Sequence, residues 1–376
     1  MKTIRKIAIP FSTIMLIYLL FPSVIEASRS HGLTLQLHLF ALSLFIAIIF
    51  TPITEVIAKK IGAMDIPDHR KTHKKPTPLF GGLAVFVAFF AAHLIQLKFD
   101  REMIGVFLGG SLILIVGLID DKTGGIPAWF RLIVQLAASA IVICSGVVLD
   151  FYPYTLWGKT LSIIISVIWL VGITNALNFL DGMDGLASGL SAVASGIFFI
   201  VAYRLNSPYL GYLAITLCGA SLGFLLFNFK PADIFLGDAG ATFLGFTLAC
   251  FGIMGDWSQG NPFVSFSVPV LILSIPIFDM IHTTIERIMT GKVKNLRDWI
   301  VFTGRDHFHH RLSDHGFKDT EVVLFVYFIN LTIGFTAVVI SGCSIQNMSL
   351  LLSQAFCLFI IITILMSFAA KKNEQK

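Results

Sequence analysis

Five polar clusters break an otherwise apolar chain of 376 residues. Asp120-Asp121-Lys122-Thr123-Gly124 is the first, and Asn175-x-x-Asn178-x-x-Asp181-Gly-x-Asp184-Gly the second. The third runs from Asn228 through Lys230 and Asp233 to Gly237-Asp238-Ala239-Gly240. Arg305-Asp306-His307-Phe308-His309-His310-Arg311 is the fourth, and Arg70-Lys71-Thr72-His73-Lys74-Lys75 a basic fifth. Adjacent carboxylates repel and stay ionised most readily beside a cation, whether a metal or a basic side chain. Asn175, Asn178 and Asp181 recur every third residue and so drift around one helix face, with Gly182 breaking the helix before Asp184. Asp238 opens an apolar run, where free backbone N–H groups and the helix dipole favour an anion. Oxygen-only donors suit Mg²⁺ or Mn²⁺, whereas Arg and Lys neutralise phosphate. The three histidines lack the Cys or further His of a zinc cage; between Arg305 and Arg311 they suit phosphate contact or acid–base work. The joint expectation is Mg²⁺-assisted phosphoryl transfer. Each cluster alone has a plainer reading. Asp120-Asp121 could be a solvated helix end, the asparagines interhelical hydrogen bonders, Asp238 a simple cap, and the basic loop an anchor to anionic lipid.

The elements that carry these clusters must be membrane helices. Hydrophobic residues make up 56% and charged residues 13%, against roughly 45–50% and about 25% in soluble domains; the mean hydropathy is +0.85. These values exclude a cytosolic globule, a disordered chain and a nucleic-acid module. A bilayer crossing takes about 20 apolar residues. Twelve runs qualify, at 7–25, 33–57, 79–97, 103–119, 130–149, 161–178, 185–203, 209–227, 237–254, 263–285, 322–342 and 349–370. The expected fold is an all-α integral membrane protein, a bundle of 11–12 transmembrane helices with its active site on the cytoplasmic face. With the N-terminus inside, alternate loops hold 22 of the 27 Lys and Arg residues, as the positive-inside bias requires. All five clusters then fall on that same face. Pro269 and Pro276 predict a kink in the tenth run. The five cysteines are dispersed without ligand spacing and read as small buried side chains. Residues 1–32 read as an extra helix or a signal-like segment, and 33–376 as the multi-spanning domain.

In this order the clusters resemble the polyprenyl-phosphate N-acetylhexosamine-1-phosphate transferases. The match covers Leu35 to the C-terminus and includes Pro67 to His73, Gly81-Gly82, Asp120-Asp121, Asn175 to Gly185, Phe227 to Gly240 and Asp306 to Arg311. Asp306-x-His-x-His-His followed by Arg311-Leu312 is similar to the branch that uses UDP-N-acetylglucosamine and undecaprenyl phosphate to start teichoic acid, O-antigen or related polymers. The branch that uses UDP-N-acetylmuramoyl-pentapeptide typically has three consecutive histidines. The resemblance implies Mg²⁺ contacts from Asp238 and Asn178, with nucleotide contacts from Asp181, Asp184 and Asn228. It implies that Asp120 and Asp121 position the lipid phosphate or metal, and that His307, His309, His310 and Arg305 hold the donor. Arg70, Lys71, His73, Lys75 and Asn175 complete the expected substrate contacts. It places the chain in the plasma membrane, with a homodimer as the expected assembly. An anionic-solute transporter is the competing class, but it would carry its polar groups at the midplane on inverted repeats, and here they gather at helix ends.

Overall fold

The computed structural model describes residues 2–29, 32–67, 75–96, 99–149, 155–257, 262–295, 298, 304, 306–342 and 345–373. Among these are α1 (Lys2–Leu19), α2 (Pro22–Arg29), α3 (Gly32–Ile61), α4 (Gly81–Gln96), α5 (Arg101–Thr123), α6 (Ala128–Cys144), α7 (Leu156–Leu180) and α8 (Leu186–Arg204). They continue with α9 (Pro208–Asn228), α10 (Gly237–Met254), α11 (Pro262–Ile272), α12 (Ser274–Met289), α13 (Phe308–Asp314), α14 (Asp319–Ile340) and α15 (Ile345–Asn373). A two-residue antiparallel pair joins β1 (Met64–Asp65) to β2 (Thr77–Pro78).

All twelve apolar runs are helical, which makes the chain an all-α, multi-pass membrane protein. Among the described residues, seven helices are long and apolar enough to cross a bilayer unaided. The bent pairs α1–α2 and α11–α12 raise this to nine, and α4, α6 and part of α15 are shorter apolar helices. The kink expected from Pro269 and Pro276 is an 82° break between α11 and α12. Alternate crossing places the ends of α5, α7 and α9 and the start of α10 together at one end of the bundle.

Helix α10 is the axis, with 89% of its apolar window buried. A helix apolar on every side belongs in a core, and small residues let its neighbours come close. Gly240 lies against Gly82 of α4, and Ala239 against Gly117 of α5, so tightly that a Cβ on either Gly82 or Gly117 would overlap the α10 backbone. One turn and more further along, a Cβ at Gly245 would sit 2.9 Å from Thr174 Cα of α7. The outer helices show the complementary pattern. Ile104, Leu108, Ile115 and Ile119 form an exposed row on α5, as do Leu161, Ile164 and Ile168 on α7, a spacing that gives each helix one lipid-facing side.

Gly82→Val should therefore separate α4 from α10 at a cost of about 1–3 kcal/mol, typical of overpacking. The thermal midpoint of the detergent-solubilised protein should fall. Gly172→Ala should leave it unchanged, since a Cβ there meets only Met280 Cε at 4.0 Å. Equal midpoints for the two variants would refute this packing.

Candidate active site

Helix α5 delivers the two adjacent aspartates. It ends where Gly124, at φ 77°, donates its N–H to Asp120 O at 3.0 Å, a left-handed cap that glycine adopts without strain. Gly117 brings α5 against α10, so the Asp121 carboxylate reaches across the start of α10. Its Oδ1 accepts from Asp238 N–H at 2.9 Å and its Oδ2 from Ala239 N–H at 3.3 Å. Asp121 is thus the cap of α10, satisfying its free donors and complementing its dipole. Gly237, at φ 76°, makes room, since a Cβ there would collide with Asp121 Oδ2. The Asp238 side chain is left for other partners. Arg131 Nη1 of α6 donates to Asp238 Oδ2 at 3.0 Å and to Asp120 Oδ2 at 3.2 Å, while Ile126 N–H binds Asp120 Oδ1.

Across the cavity, α7 ends at Asp181. Glycines at 182 and 185 turn the chain into α8, Gly185 at φ 83°. Tyr327 of α14 donates its hydroxyl to Gly185 O. Asp184 Oδ2 accepts from Ala232 N–H at 3.1 Å, which ties this turn to the segment after α9. Asn228 is oriented by Ser188 Oγ, 2.7 Å from its Oδ1, and by Ile234 O, 3.0 Å from its Nδ2. Withdrawal from solvent, then the charges of Asp238 and Asp184, pushes the Asp181 carboxyl up to about 8.

The histidine segment closes the third side. Asp279 of α12, only 2% exposed, receives Phe308 N–H at 2.6 Å and lies 2.7 Å from His307 Nδ1. Arg287, two turns further on, binds Asp306 with two parallel hydrogen bonds of 2.8 and 2.6 Å. Burial would raise the Asp306 carboxyl, but the Arg287 pair outweighs it and holds Asp306 below its ordinary value. His309 is fully buried against Gly182, and His310 reaches the cavity.

The cavity between them is open on one side, about 710 Å³, and lined by Asp120, Asp121, Asp181, Asp184, Asp238 and Asn228 together with His310 and Arg131. Both strands of the small β pair approach it, through Met64, Asp65 and Leu79 beside Thr77–Pro78. Among the described residues that line it, Arg131 is the single Lys or Arg. Asn175 instead exchanges amide hydrogen bonds of 3.1 and 2.7 Å with Gln135 of α6, the interhelical role that asparagine takes in membranes. His307 is held by Asp279 behind the cavity wall, and Lys75 is exposed. Arg70, Lys71, His73 and Arg305 lie outside the described residues. Sequence reasoning missed Arg131, Ser188, Asp279, Arg287 and Tyr327. Asp279, Thr283 and Arg287, spaced by four along an apolar run, carried a usable signal: one polar helix face that must meet a polar partner.

The donor set fits a hard divalent cation. Among the described residues no three His, Cys, Asp or Glu side chains form a ready-made cage. Mg²⁺ needs none, since it keeps waters and binds one or two carboxylates plus substrate phosphate oxygens. Asn178 Oδ1 is buried and, among the described residues, has no hydrogen-bond partner. With Gly245 against Thr174, antiparallel α7 and α10 bring Asn178 and Asp181 to the level of the first turns of α10.

A family profile described as glycosyl transferase family 4 matches residues 103–256. A probable undecaprenyl-phosphate N-acetylglucosaminyl 1-phosphate transferase of Bacillus subtilis (strain 168) is 32% identical over 342 residues, spanning 89% of this chain and 92% of its own. A decaprenyl-phosphate N-acetylglucosaminephosphotransferase of Mycobacterium tuberculosis is 30% identical, over 72% of this chain and 74% of its own. A phospho-N-acetylmuramoyl-pentapeptide-transferase of Lacticaseibacillus paracasei is 27% identical, over 69% and 82%. Asp120, Asp121, Asp181, Asp184 and Asp238 all lie inside the profile match, and the likeness runs along nearly the whole chain. The chain belongs to glycosyl transferase family 4, in the branch of polyprenyl-phosphate N-acetylglucosamine-1-phosphate transferases, membrane enzymes that move a sugar phosphate onto a polyprenyl phosphate.

Proposed function

We propose that this chain transfers N-acetylglucosamine-1-phosphate from UDP-N-acetylglucosamine to undecaprenyl phosphate, releasing UMP, with Mg²⁺, at the cytoplasmic face of the plasma membrane. The product would start a cell-envelope polysaccharide such as teichoic acid or O-antigen. One observation carries this reading: six carboxylates, an asparagine and a histidine, from the small β pair, α5, the α7–α8 turn, α9, α10 and α13, meet around a single cavity at one end of the bundle. The names of the curated relatives support the sugar and the acceptor, and the lysine and arginine asymmetry supports the cytoplasmic side.

The acceptor is a phosphate monoester with a second pKa near 6, mostly dianionic at neutral pH. It needs little general-base help; its approach to an anionic diphosphate is the larger obstacle. Arg131, shared by Asp120 and Asp238, offers a fixed positive charge at the cavity wall. On its α6 side Arg131 borders Ile113, Val116 and Val134 of α5 and α6, apolar neighbours on the side from which a lipid acceptor would approach. Asp181, Asp184 and Asn228 face the other side and suit the nucleotide. His310 suits the diphosphate, and Asp279 keeps the histidine segment in place. Asp238 and Asn178 would hold Mg²⁺, which when bound supplies charge neutralisation for the developing pyrophosphate.

Direct attack of the acceptor oxygen on the β-phosphorus fits better than an aspartyl-phosphate route. Both oxygens of Asp121 accept backbone N–H groups, and both oxygens of Asp120 are bound by Ile126 and Arg131. Carboxylates so engaged are poor nucleophiles. Radiolabelled donor incubated without acceptor should leave no phosphorylated enzyme; a trapped phosphoprotein would reverse this choice.

Purified protein with undecaprenyl phosphate and a panel of UDP-sugars should form labelled lipid from UDP-N-acetylglucosamine and require Mg²⁺. Asp238→Ala should lower UMP release by at least about 10²-fold, as loss of an electrostatic transition-state contact does, with the thermal midpoint retained. Turnover at the wild-type rate would refute the metal assignment. A further check uses pH. The folded protein holds the Asp181 proton up to about 8, whereas an unfolded chain releases it near about 4. Folding stability should therefore decline as pH rises through that interval. In chelator the thermal midpoint should drop between pH 6 and 8.5, and Asp181→Asn should flatten the decline.

A further inference from the structure

The first turn of α1 makes a contact that the transfer chemistry does not use. Arg5 lies in that turn and is only 5% exposed. Its Nη1 pairs with Asp233, its Nε donates to Leu226 O at 2.9 Å, and its Nη2 lies 3.4 Å from both Phe227 O and Pro231 O. The guanidinium carbon sits 5.7 Å from the centre of the Phe227 ring. A buried guanidinium is costly unless each of its N–H groups is used, and here they are spent on a single short stretch, Leu226 to Asp233.

That stretch has a second face. Ala232 N–H binds the Asp184 carboxylate, Asn228 lines the cavity, and Asp233 N–H closes the turn on Phe227 O at 2.9 Å. Arg5 thus grips one side of a turn whose other side holds two of the groups assigned to the nucleotide. A one-ångström shift of such groups is enough to cost substantial rate or affinity.

We propose that Arg5 is a positioning residue for the donor subsite, and that α1 is a working part of the enzyme which braces the 226–233 turn from outside the bundle. This rests on the reading of Asp184 and Asn228 as donor contacts. The brace itself does not.

The test uses the full chain in detergent, as wild type, Arg5→Gln, Arg5→Lys and Asp233→Asn, with UDP-N-acetylglucosamine and undecaprenyl phosphate as probes. In Arg5→Gln, amide exchange at Ala232 and Asp233 should accelerate by about tenfold, the order expected when a charge-assisted hydrogen-bond set is lost. KM for the UDP-sugar should rise several-fold, with KM for the lipid phosphate unchanged. Arg5→Lys should recover part of the loss, because it restores the ion pair without the fork. Unchanged exchange at the turn would overturn the brace, as would a purified protein whose mature N-terminus lies beyond Arg5. Accelerated exchange with a parallel change in both KM values would overturn the donor-specific role. A wild type that ignores UDP-sugars would strike the donor reading, while the exchange measurement still decides the brace.

Discussion

The first turn of α10 is held by a carboxylate from another helix, and the rest of the site depends on that contact. Asp121 can cap α10 only because Gly117 and Gly82 let α5 and α4 lie directly against its backbone. In a bilayer, packing of this kind replaces the hydrophobic drive between helices. The cap has a chemical result as well as a structural one. It satisfies the donors at the helix start and frees the Asp238 side chain, which then shares Arg131 with Asp120. Three helices, two glycines and one carboxylate therefore set the position of the remaining acidic groups.

Around this fixed corner the second and fourth clusters, too, have partners behind the cavity wall. Asp184 is tied to the turn after α9, Gly185 to Tyr327, and the histidine segment to Asp279 and Arg287. Each cluster thus has a support outside the cavity, and its inner face is left for ligands. Such outer partners fix the rotamers of reacting groups and account for much of a site's precision.

Much of this was legible from residues alone. The apolar runs overlap every helix among the described residues that is long and apolar enough to cross a bilayer, and the kink at Pro269 and Pro276 is an actual break. The aspartates at 120, 121, 181, 184 and 238 converge as their alternation between helix ends implied. What stayed hidden was the identity of the partners. Nothing in the spacing of Asp120-Asp121 and Asp238 says that one caps and the other binds a guanidinium, because that choice follows from which backbones touch. Asn175 and Asn178 look equivalent in the pattern, yet Gln135 claims the first and leaves the oxygen of the second buried without a partner among the described residues. Arg131 was hidden for another reason: it sits at the start of an apolar run, where a snorkelling anchor is the ordinary reading.

The break between α11 and α12 has a mechanical consequence. Helix α12 carries Asp279, Thr283 and Arg287 on its buried side, and Ile281, Ile285 and Ile288 exposed on the other. After an 82° turn, its greasy flank meets acyl chains while its polar flank grips the histidines. Sixteen residues make a rod of about 24 Å that starts directly after Leu273. Any displacement of α12 would therefore move the exposed isoleucines and the partners of His307 and Phe308 together.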